Sequence, residues 1–379
     1  MKKWIAAAVI SAAFCVAGLV FCLFLLYREP QTASGQNTGA VAAAAETEQV
    51  QSGSGAARAS SLPAPAGVTE EQAASLPVNP ADYSQSVWAV DWDEASALSY
   101  LEAQHDTISE ISIFAATFDG NGQVTLSDAA KTMHTDLKSR YPDKSYFLSI
   151  TNDIISDGWA EAKDASILYS LLEDENTART HAQELVSLAA EQGFDGVEID
   201  YESIYGDTTL WNLLIRFEGM LAEEADARGL KVRVVLEPSI PTDQLQFSDQ
   251  VEHVVMCYDS HGIGTDAGPK ADPAFLSDIV SRFANVPNLS YALANGGYDW
   301  NLDTGYTEPF SEQAVEELLA AYGGEGTRDA ANGALLYTYT DAAGNAHQLW
   351  YGDAETLQTW RSMIEEQVGR PVSVSLWKA

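Results

Sequence analysis

Eight short apolar segments, rich in β-branched residues, alternate with helical segments between residues 85 and 379 of this 379-residue chain. The segments between them include residues 177–193 and 210–229, which are apolar at i, i+3 and i+4 and end in glycine. This alternation predicts an α/β fold of the (β/α)8 TIM-barrel class. The eight predicted strands are SVWAVDW (86–92), ISEISIFAATF (108–118), KSYFLSIT (144–151), FDGVEIDYE (194–202), LKVRVVLEP (230–238), VEHVVMCYD (251–259), NLSYALANGGY (288–298) and PVSVSLW (371–377).

An open doubly wound sheet is the competing architecture, but no glycine-rich phosphate-binding turn follows the first strand. The interval between the last two strands is the longest in the barrel. It contains GALLYTYTDAAGNAHQLWYG (333–352), which predicts a hairpin around DAAGN. We therefore predict a small α+β insertion, at about residues 301–370, between barrel strands 7 and 8.

The N-terminus carries a long uncharged segment. Lys2 and Lys3 precede Trp4–Tyr27, which contains no charged residue. About 20 apolar residues span a bilayer as a helix, whereas the apolar region of a signal peptide has about 7–15. The two lysines would stay on the cytoplasmic side. We expect residues 1–28 to anchor the protein in a membrane with the remainder outside the cytoplasm; a cleaved signal, giving a secreted protein, is the alternative.

Residues 29–84 differ in composition from the rest of the chain. They are rich in Ala, Gly, Ser, Thr, Gln and Pro and show no sustained apolar period. This composition predicts a flexible linker. The folded domain is therefore expected to comprise residues 85–379.

Charge and cysteine content exclude several classes of protein. The formal net charge is −35, and nearly all of the acidic excess lies after residue 85. Such a surface repels a polyphosphate backbone, which excludes a nucleic-acid partner. Solubility explains the acidity, and a preference for a cationic glycan is the alternative. Since Cys15 and Cys22 lie in the apolar run, Cys257 has no disulfide partner in the folded domain, where we expect it to be a small buried hydrophobe.

One predicted strand carries three acids on one face. In GFDGVEIDYES (193–203), Glu198, Asp200 and Glu202 occupy alternate positions, and apolar residues occupy the positions between them. Alternate side chains of a strand share a face, so the acids would point into the barrel. Burying a carboxylate there without a partner costs several kcal/mol. A structural role does not explain such a cost, whereas a functional site does.

Two kinds of chemistry fit these acids. Closely packed carboxyls raise one another's pKa, so at least one should be protonated near neutral pH, which suits a general acid. A metal site would need further ligands, and His253 and His261 are the nearest candidates in the sequence. His253 lies on the opposite face of its strand from Met256, so we expect it to point out of the barrel. We expect neither a metal nor a cofactor, and a metal-dependent barrel enzyme stays the alternative.

Five motifs in order resemble those of family 18 glycoside hydrolases, and the resemblance covers residues 85–379. DGVEIDYE (195–202) resembles the Asp-Gly-x-Asp-x-Asp-x-Glu signature that closes the fourth barrel strand of that family. The insertion segment YTDAAGNAHQLWYGDAETL (339–357) is similar to bacterial envelope and spore-associated members. The other matches are VVMCYDSHG (254–262) with the sixth strand, AGPKADP (267–273) with the loop after it, YALANGGYDW (291–300) with the seventh strand and SVSLW (373–377) with the eighth.

The resemblance implies a reaction and its catalytic residues. Family members cleave β-1,4 bonds next to N-acetylglucosamine with the acetamido oxygen of the substrate as nucleophile, a retaining mechanism that needs one protonating acid. By position, that acid is Glu202. Asp200 would orient the acetamido N–H and stabilise the cationic intermediate, and Tyr258 would donate its hydroxyl to the acetamido oxygen.

The resemblance also implies residues that bind the substrate. Trp377 would form the floor under the −1 sugar, with Met256 beside it, and Asp259 would support Tyr258. Glu198 departs from the family pattern, which has Asp or Asn there. Its extra methylene would push Asp200 upward and tune or weaken activity.

The sequence thus predicts an extracytoplasmic glycoside hydrolase that acts on N-acetylglucosamine-containing glycans, either peptidoglycan or chitin-like oligosaccharides. Its expected partners are that glycan and, through the N-terminal helix, a membrane. The alternative is a glycan-binding barrel with little or no catalysis. Such members of the family usually lack the acid matching Glu202, which is present here, whereas Glu198 keeps this alternative open.

Overall fold

The computed structural model describes residues 85–156 and 159–379. The predicted anchor (1–28), the predicted linker (29–84), Cys15 and Cys22 lie outside the described residues. Within the two described ranges, no helix is both long and apolar enough to cross a bilayer.

Strands and helices alternate along the described chain. The strands are β1 (Gln85–Val90), β2 (Glu110–Phe118), β3 (Val124–Leu126), β4 (Ser145–Ser156), β5 (Trp159–Glu161), β6 (Gly196–Asp200), β7 (Lys231–Leu236), β8 (Glu252–Met256), β9 (Leu289–Ala294), β10 (Gly296–Asn301), β11 (Thr307–Phe310), β12 (Thr327–Arg328), β13 (Leu335–Thr340), β14 (Ala346–Gly352) and β15 (Val374–Trp377). The helices are α1 (Glu94–Gln104), α2 (Asp128–Arg140), α3 (Ala165–Leu172), α4 (Glu175–Gln192), α5 (Thr208–Asp226), α6 (Pro273–Arg282), α7 (Glu312–Tyr322) and α8 (Ala354–Val368).

Eight parallel strands close into a ring. The order around it is β1, β2, β4, β6, β7, β8, β9 and β15, and β15 pairs with β1. The short strands β3 and β5 add to β2 and β4 in antiparallel orientation. The predicted (β/α)8 barrel is therefore confirmed, and the carboxyl ends of all eight strands meet at one mouth.

A second sheet interrupts the barrel between its seventh and eighth strands. Its order is β11, β10, β14, β13 and β12, all antiparallel, and the hairpin β13–β14 turns at Asp341–Asn345 as the sequence predicts. The insertion begins at β10, before the predicted residue 301. The segment 288–298, predicted as one strand, is divided because Gly296 has φ +62° and turns the chain out of the barrel.

Apolar residues separate into an outer and an inner core. The larger cluster fills the space between the strands and the surrounding helices and includes Val197, Ile199 and Tyr201 of the segment around β6. A smaller cluster fills the upper barrel interior and includes Trp88, Phe114, Val254, Met256 and Ala292. The period-two pattern of β6 thus places its apolar face against helices and its acidic face inside the barrel.

Helix boundaries follow ordinary capping chemistry. The helix predicted over 177–193 is α4, which starts after the Asp174 side chain accepts from the Thr177 N–H and ends at Gly193 in the left-handed conformation. The helix predicted over 210–229 is α5, which starts after Asp207 and ends three residues before Gly229.

We predict that Gly297→Ala lowers the free energy of unfolding by about 1–3 kcal/mol, because a Cβ there would overlap the carbonyl oxygen of Trp350 on the neighbouring strand β14. Gly219→Ala is the matched control. It lies in α5 with no atom within 4 Å of the added Cβ, so it should stabilise the protein by about 0.5–1 kcal/mol. Urea unfolding measures both; a neutral Gly297→Ala variant would show that β10 and β14 do not approach this closely.

Candidate active site

The three acids of the β6 segment lie at different heights in the barrel. Glu198 is fully buried, Asp200 is 5% exposed at the carboxyl end of β6, and the Glu202 side chain, just beyond the strand, is 26% exposed. Side-chain exposure therefore increases along the segment, from the barrel interior to the mouth. This is the end of the barrel at which loops gather functional groups.

Glu198 is held entirely by protein groups. Trp88 Nε1–H donates to its Oε1 at 2.6 Å and Ser112 Oγ–H to its Oε2 at 2.9 Å. Arg233 Nη1 lies 3.4 Å from Oε2. Burial raises the pKa of Glu198, and Arg233 opposes that rise. With no exposed surface and with both oxygens occupied, Glu198 is placed to support the site from below rather than to contact a sugar.

Arg233 is the centre of a buried ion network on the adjacent strand β7. Its side chain is 1% exposed and also pairs with Glu110 and with Glu252, the latter at 3.2 Å. Its guanidinium lies over the Phe147 ring, 4.4 Å from the centroid. Burial disfavours its charge, but the surrounding carboxylates outweigh burial and raise its pKa. Arg233 thus compensates the charge of the lower barrel acids. The motifs gave no signal for this role, although the alternation of LKVRVVLEP does place Arg233 inward.

Asp200 and Glu202 share a lysine. Lys163 Nζ lies 3.1 Å from Asp200 Oδ2 and 2.5 Å from Glu202 Oε1. The other carboxylate oxygen of Asp200, Oδ1, is buried and accepts no hydrogen bond from the described residues. Lys163 lies in the loop after β5 and has no periodic pattern around it, so the sequence gives no signal for this contact.

Burial sets the protonation of Glu202. It raises the pKa of Glu202 to about 8, Asp200 adds to the rise, and Lys163 opposes it. Burial works against the charge of Lys163, but Asp200 and Glu202 outweigh it and raise the lysine pKa. Glu202 is thus a carboxyl group that holds its proton near neutral pH, as a general acid must.

The backbone on either side of Glu202 is fixed by neighbouring strands. Asn152 of β4 accepts from the Glu202 N–H and donates to the Glu202 carbonyl, both at 2.9 Å. Glu237, after β7, accepts from the Ile204 N–H at 3.3 Å. These contacts hold the acid at one position above the strand.

Tyr258 and Asp259 follow β8 at the same mouth. The Tyr258 side chain is partly buried, and burial together with Asp200 and Glu202 raises its pKa, so the hydroxyl keeps its proton. Because Asp200 and Glu202 lie near enough to raise its pKa, Tyr258 belongs to the predicted site. Asp259 has φ +61° and lies close to Lys270 and the Tyr298 hydroxyl.

Aromatic rings line the remaining side of the site. Trp377 packs edge-on against Trp88 and Phe114, with centroid distances of 6.1 and 5.0 Å, and Met256 belongs to the same cluster. Phe114 in turn packs edge-on against Trp92, which is 63% exposed. The rings form a continuous line from the barrel interior to the surface, and sequence analysis missed its outer part, Phe114 and Trp92.

Three further residues lie outside the acidic cluster. His253 is buried towards the helices, with Nδ1 2.9 Å from the Pro287 carbonyl oxygen and Nε2 3.4 Å from Glu218. Asp195 accepts from the Tyr146 N–H at 2.9 Å and so holds the start of β6 against β4. Cys257 is buried and free. No group of three or more metal-ligating side chains with suitable geometry lies in the described ranges.

Comparison with known proteins identifies relatives of low sequence identity. No protein-family model matches the chain. An "Uncharacterized glycosylase YvbX" from Bacillus subtilis is 21% identical over 310 residues, which cover 76% of this chain and 88% of that protein.

A chitinase and a spore cortex-lytic enzyme are among the solved structures of similar fold. A chitinase from Chromobacterium violaceum superposes with a TM-score of 0.65 at 20% identity, covering 78% of this chain and 94% of the other. The spore cortex-lytic enzyme SleL from Bacillus megaterium gives a TM-score of 0.62 at 17% identity, covering 78% and 70%. At these identities the similarity establishes the shared fold.

We predict that Arg233→Met lowers the free energy of unfolding by about 3–5 kcal/mol, because it leaves three carboxylates without their buried cation. Arg179→Met is the control, since Arg179 pairs with Glu223 on the exposed helix surface and its loss should cost less than about 1 kcal/mol. Urea unfolding of both variants measures the difference, and equal costs would contradict a buried network.

Proposed function

We propose that the protein is a retaining glycoside hydrolase that cleaves β-1,4 bonds next to N-acetylglucosamine through participation of the substrate's acetamido group. The observation that carries the proposal is the pair formed by Glu202 and Asp200. One acid retains its proton, and the other presents a buried, unpaired oxygen within the same site. A proton donor and an amide-orienting acceptor are the two groups that this reaction requires.

Each residue has a role in the proposed reaction. Glu202 donates its proton to the glycosidic oxygen as the bond to the leaving sugar breaks. Asp200 Oδ1 accepts the acetamido N–H, which turns the acetamido oxygen towards the anomeric carbon, and its charge stabilises the cationic ring that forms. Tyr258 donates to the acetamido oxygen, and Trp377 supports the apolar face of the −1 sugar. Glu202, now a carboxylate, then accepts a proton from the water that opens the ring.

The glycan is proposed to be peptidoglycan or a chitin-like oligosaccharide outside the cytoplasm. The names of the similar proteins, chitinase and spore cortex-lytic enzyme, support this substrate class. The uncharged run Trp4–Tyr27 supports a membrane anchor, with residues 29–84 as the tether.

A glycan-binding barrel without catalysis is the second candidate. The contact of Lys163 with Glu202 favours it, because a lysine that stayed there would occupy the acid permanently. Binding of N-acetylglucosamine oligomers without any hydrolysis by the wild-type protein would favour this candidate.

We predict that Glu202→Gln lowers kcat for release of the aryl group from an aryl N,N′-diacetylchitobioside by about 10²–10⁴-fold, while binding of the sugar persists. The amide keeps the shape of the side chain but has no acidic proton. Glu191→Gln, on the exposed end of α4, is the control and should retain full activity.

Two further measurements on the wild-type protein distinguish the alternatives. Loss of activity in EDTA would favour a metal-dependent enzyme. Equal hydrolysis of an aryl cellobioside, which has a hydroxyl in place of the acetamido group, would contradict acetamido participation.

We predict that kcat/KM falls about tenfold per pH unit above about pH 8, because the free enzyme needs protonated Glu202, whose pKa is raised to about 8. The protonated form exists below that pKa, so activity is present at lower pH and is lost as the pH rises through it. A pH–rate profile measures this limb. Activity that rises from pH 8 to 9 would contradict Glu202 as the acid.

A further inference from the structure

The position of Lys163 conflicts with the proposed reaction. Its ammonium contacts both Asp200 and Glu202, and each of these acids must touch the −1 sugar in the proposed reaction. It also lies over the Phe114 ring, 5.6 Å from the centroid, and Phe114 packs against the predicted sugar floor Trp377. The ammonium therefore fills space beside the two acids and next to the ring that packs against Trp377. In the proposed reaction the acetamido group has to enter here.

We propose that Lys163 is a displaceable plug: its ammonium fills the acetamido position in the free enzyme and withdraws when the −1 sugar enters. This inference rests on the proposed function. No covalent step is involved. Withdrawal removes a cation from Glu202, so the acid binds its proton more firmly in the complex than in the free enzyme.

The backbone geometry lets the side chain move while its base stays fixed. Lys163 has φ +52°, and its N–H donates to Asp153 Oδ1 at 2.8 Å. Asp153 in turn accepts from the Thr151 hydroxyl at 2.6 Å. A lysine side chain has four rotatable carbon bonds beyond this anchor, so rotamer changes suffice to move the ammonium towards the mouth.

The charges around Glu202 determine the direction in which its pKa changes when the ammonium withdraws. Among the residues that the structure describes, Lys163 is the cation that lowers the pKa of Glu202, whereas burial, Asp200 and Glu237 raise it. Asp153 also faces Lys163, and Tyr258 lies in the field of both acids with its proton retained. Removing the ammonium therefore leaves acidic or neutral groups around Glu202, and its pKa rises.

The proposal predicts a difference between two pH profiles. The profile of kcat/KM reports the free enzyme, and that of kcat reports the complex. In the wild-type protein the basic limb of kcat should lie at higher pH than that of kcat/KM. In Lys163→Met, which keeps most of the length of the side chain without its charge, the basic limb of kcat/KM should move up to meet that of kcat. A shift of one pH unit corresponds to about a tenfold gain in kcat/KM on the basic side.

Matched variants separate this effect from a general change in charge. Lys131→Met removes a lysine that pairs with Asp128 at 3.1 Å on the exposed surface of α2, and it should leave both limbs unchanged. Lys163→Arg keeps a cation and should keep the two limbs apart. Thermal unfolding of each variant checks that the fold is retained.

Proton uptake gives a readout that does not depend on turnover. Chitobiose is titrated into the protein in a calorimeter at about pH 8, in buffers of different ionisation enthalpy. The wild-type protein should take up protons on binding, because the pKa of Glu202 rises. Uptake should be lost in Lys163→Met, where the cation is already absent, and in Glu202→Gln, where the titrating group is absent.

Opposite results have distinct meanings. Two results would overturn the plug and leave the proposed hydrolase standing. One is a lower kcat/KM in Lys163→Met with the basic limbs of both pH profiles unchanged. The other is equal proton uptake by the wild-type protein and Lys163→Met. Hydrolysis by Lys163→Met but not by the wild-type protein would show that the lysine blocks the site without withdrawing, and it would overturn a displaceable plug. Absence of both chitobiose binding and hydrolysis in every variant would overturn the proposed function, and the plug with it.

Discussion

The ion pairs between Arg233 and the buried carboxylates make an acidic barrel interior possible. Without this guanidinium, Glu198 would lose its cationic partner in the barrel interior, and Glu110 would keep only Lys231, whose side chain is largely exposed. With it, Glu198 is held in place directly below Asp200 on the same face of β6. The protonation of Glu202 then depends on its own surroundings, since Glu198 already has Arg233, Trp88 and Ser112 as partners.

Much of this fold follows from patterns that are local in the sequence. The alternation in β6 suffices to place Glu198, Asp200 and Glu202 on one face, and eight such segments suffice to predict the barrel. The course of the chain after Ala294 does not follow from local patterns. The apolar pattern continues through YALANGGYDW, whereas a positive φ at Gly296 redirects the chain into the second sheet.

The partners of the site residues are harder to predict than the residues themselves. Asn152 and Lys163 both reach Glu202 from the third barrel strand and the loop after it, about 40–50 residues earlier in the chain. Such contacts depend on how the strands are placed around the ring and on the direction of a loop side chain, which no period encodes. Arg233 is an intermediate case: its inward direction follows from alternation, but its three partners do not.

The reciprocal hydrogen bonds between Asn152 and Glu202 have a mechanical consequence. Asn152 lies on β4, and the same strand carries Asp153, which anchors the backbone of Lys163. The backbones of Glu202 and Lys163 are therefore both hydrogen-bonded to side chains of β4. A displacement of β4 would therefore move both backbones in the same direction, so that the distance between Glu202 and Lys163 changes less than the position of either residue.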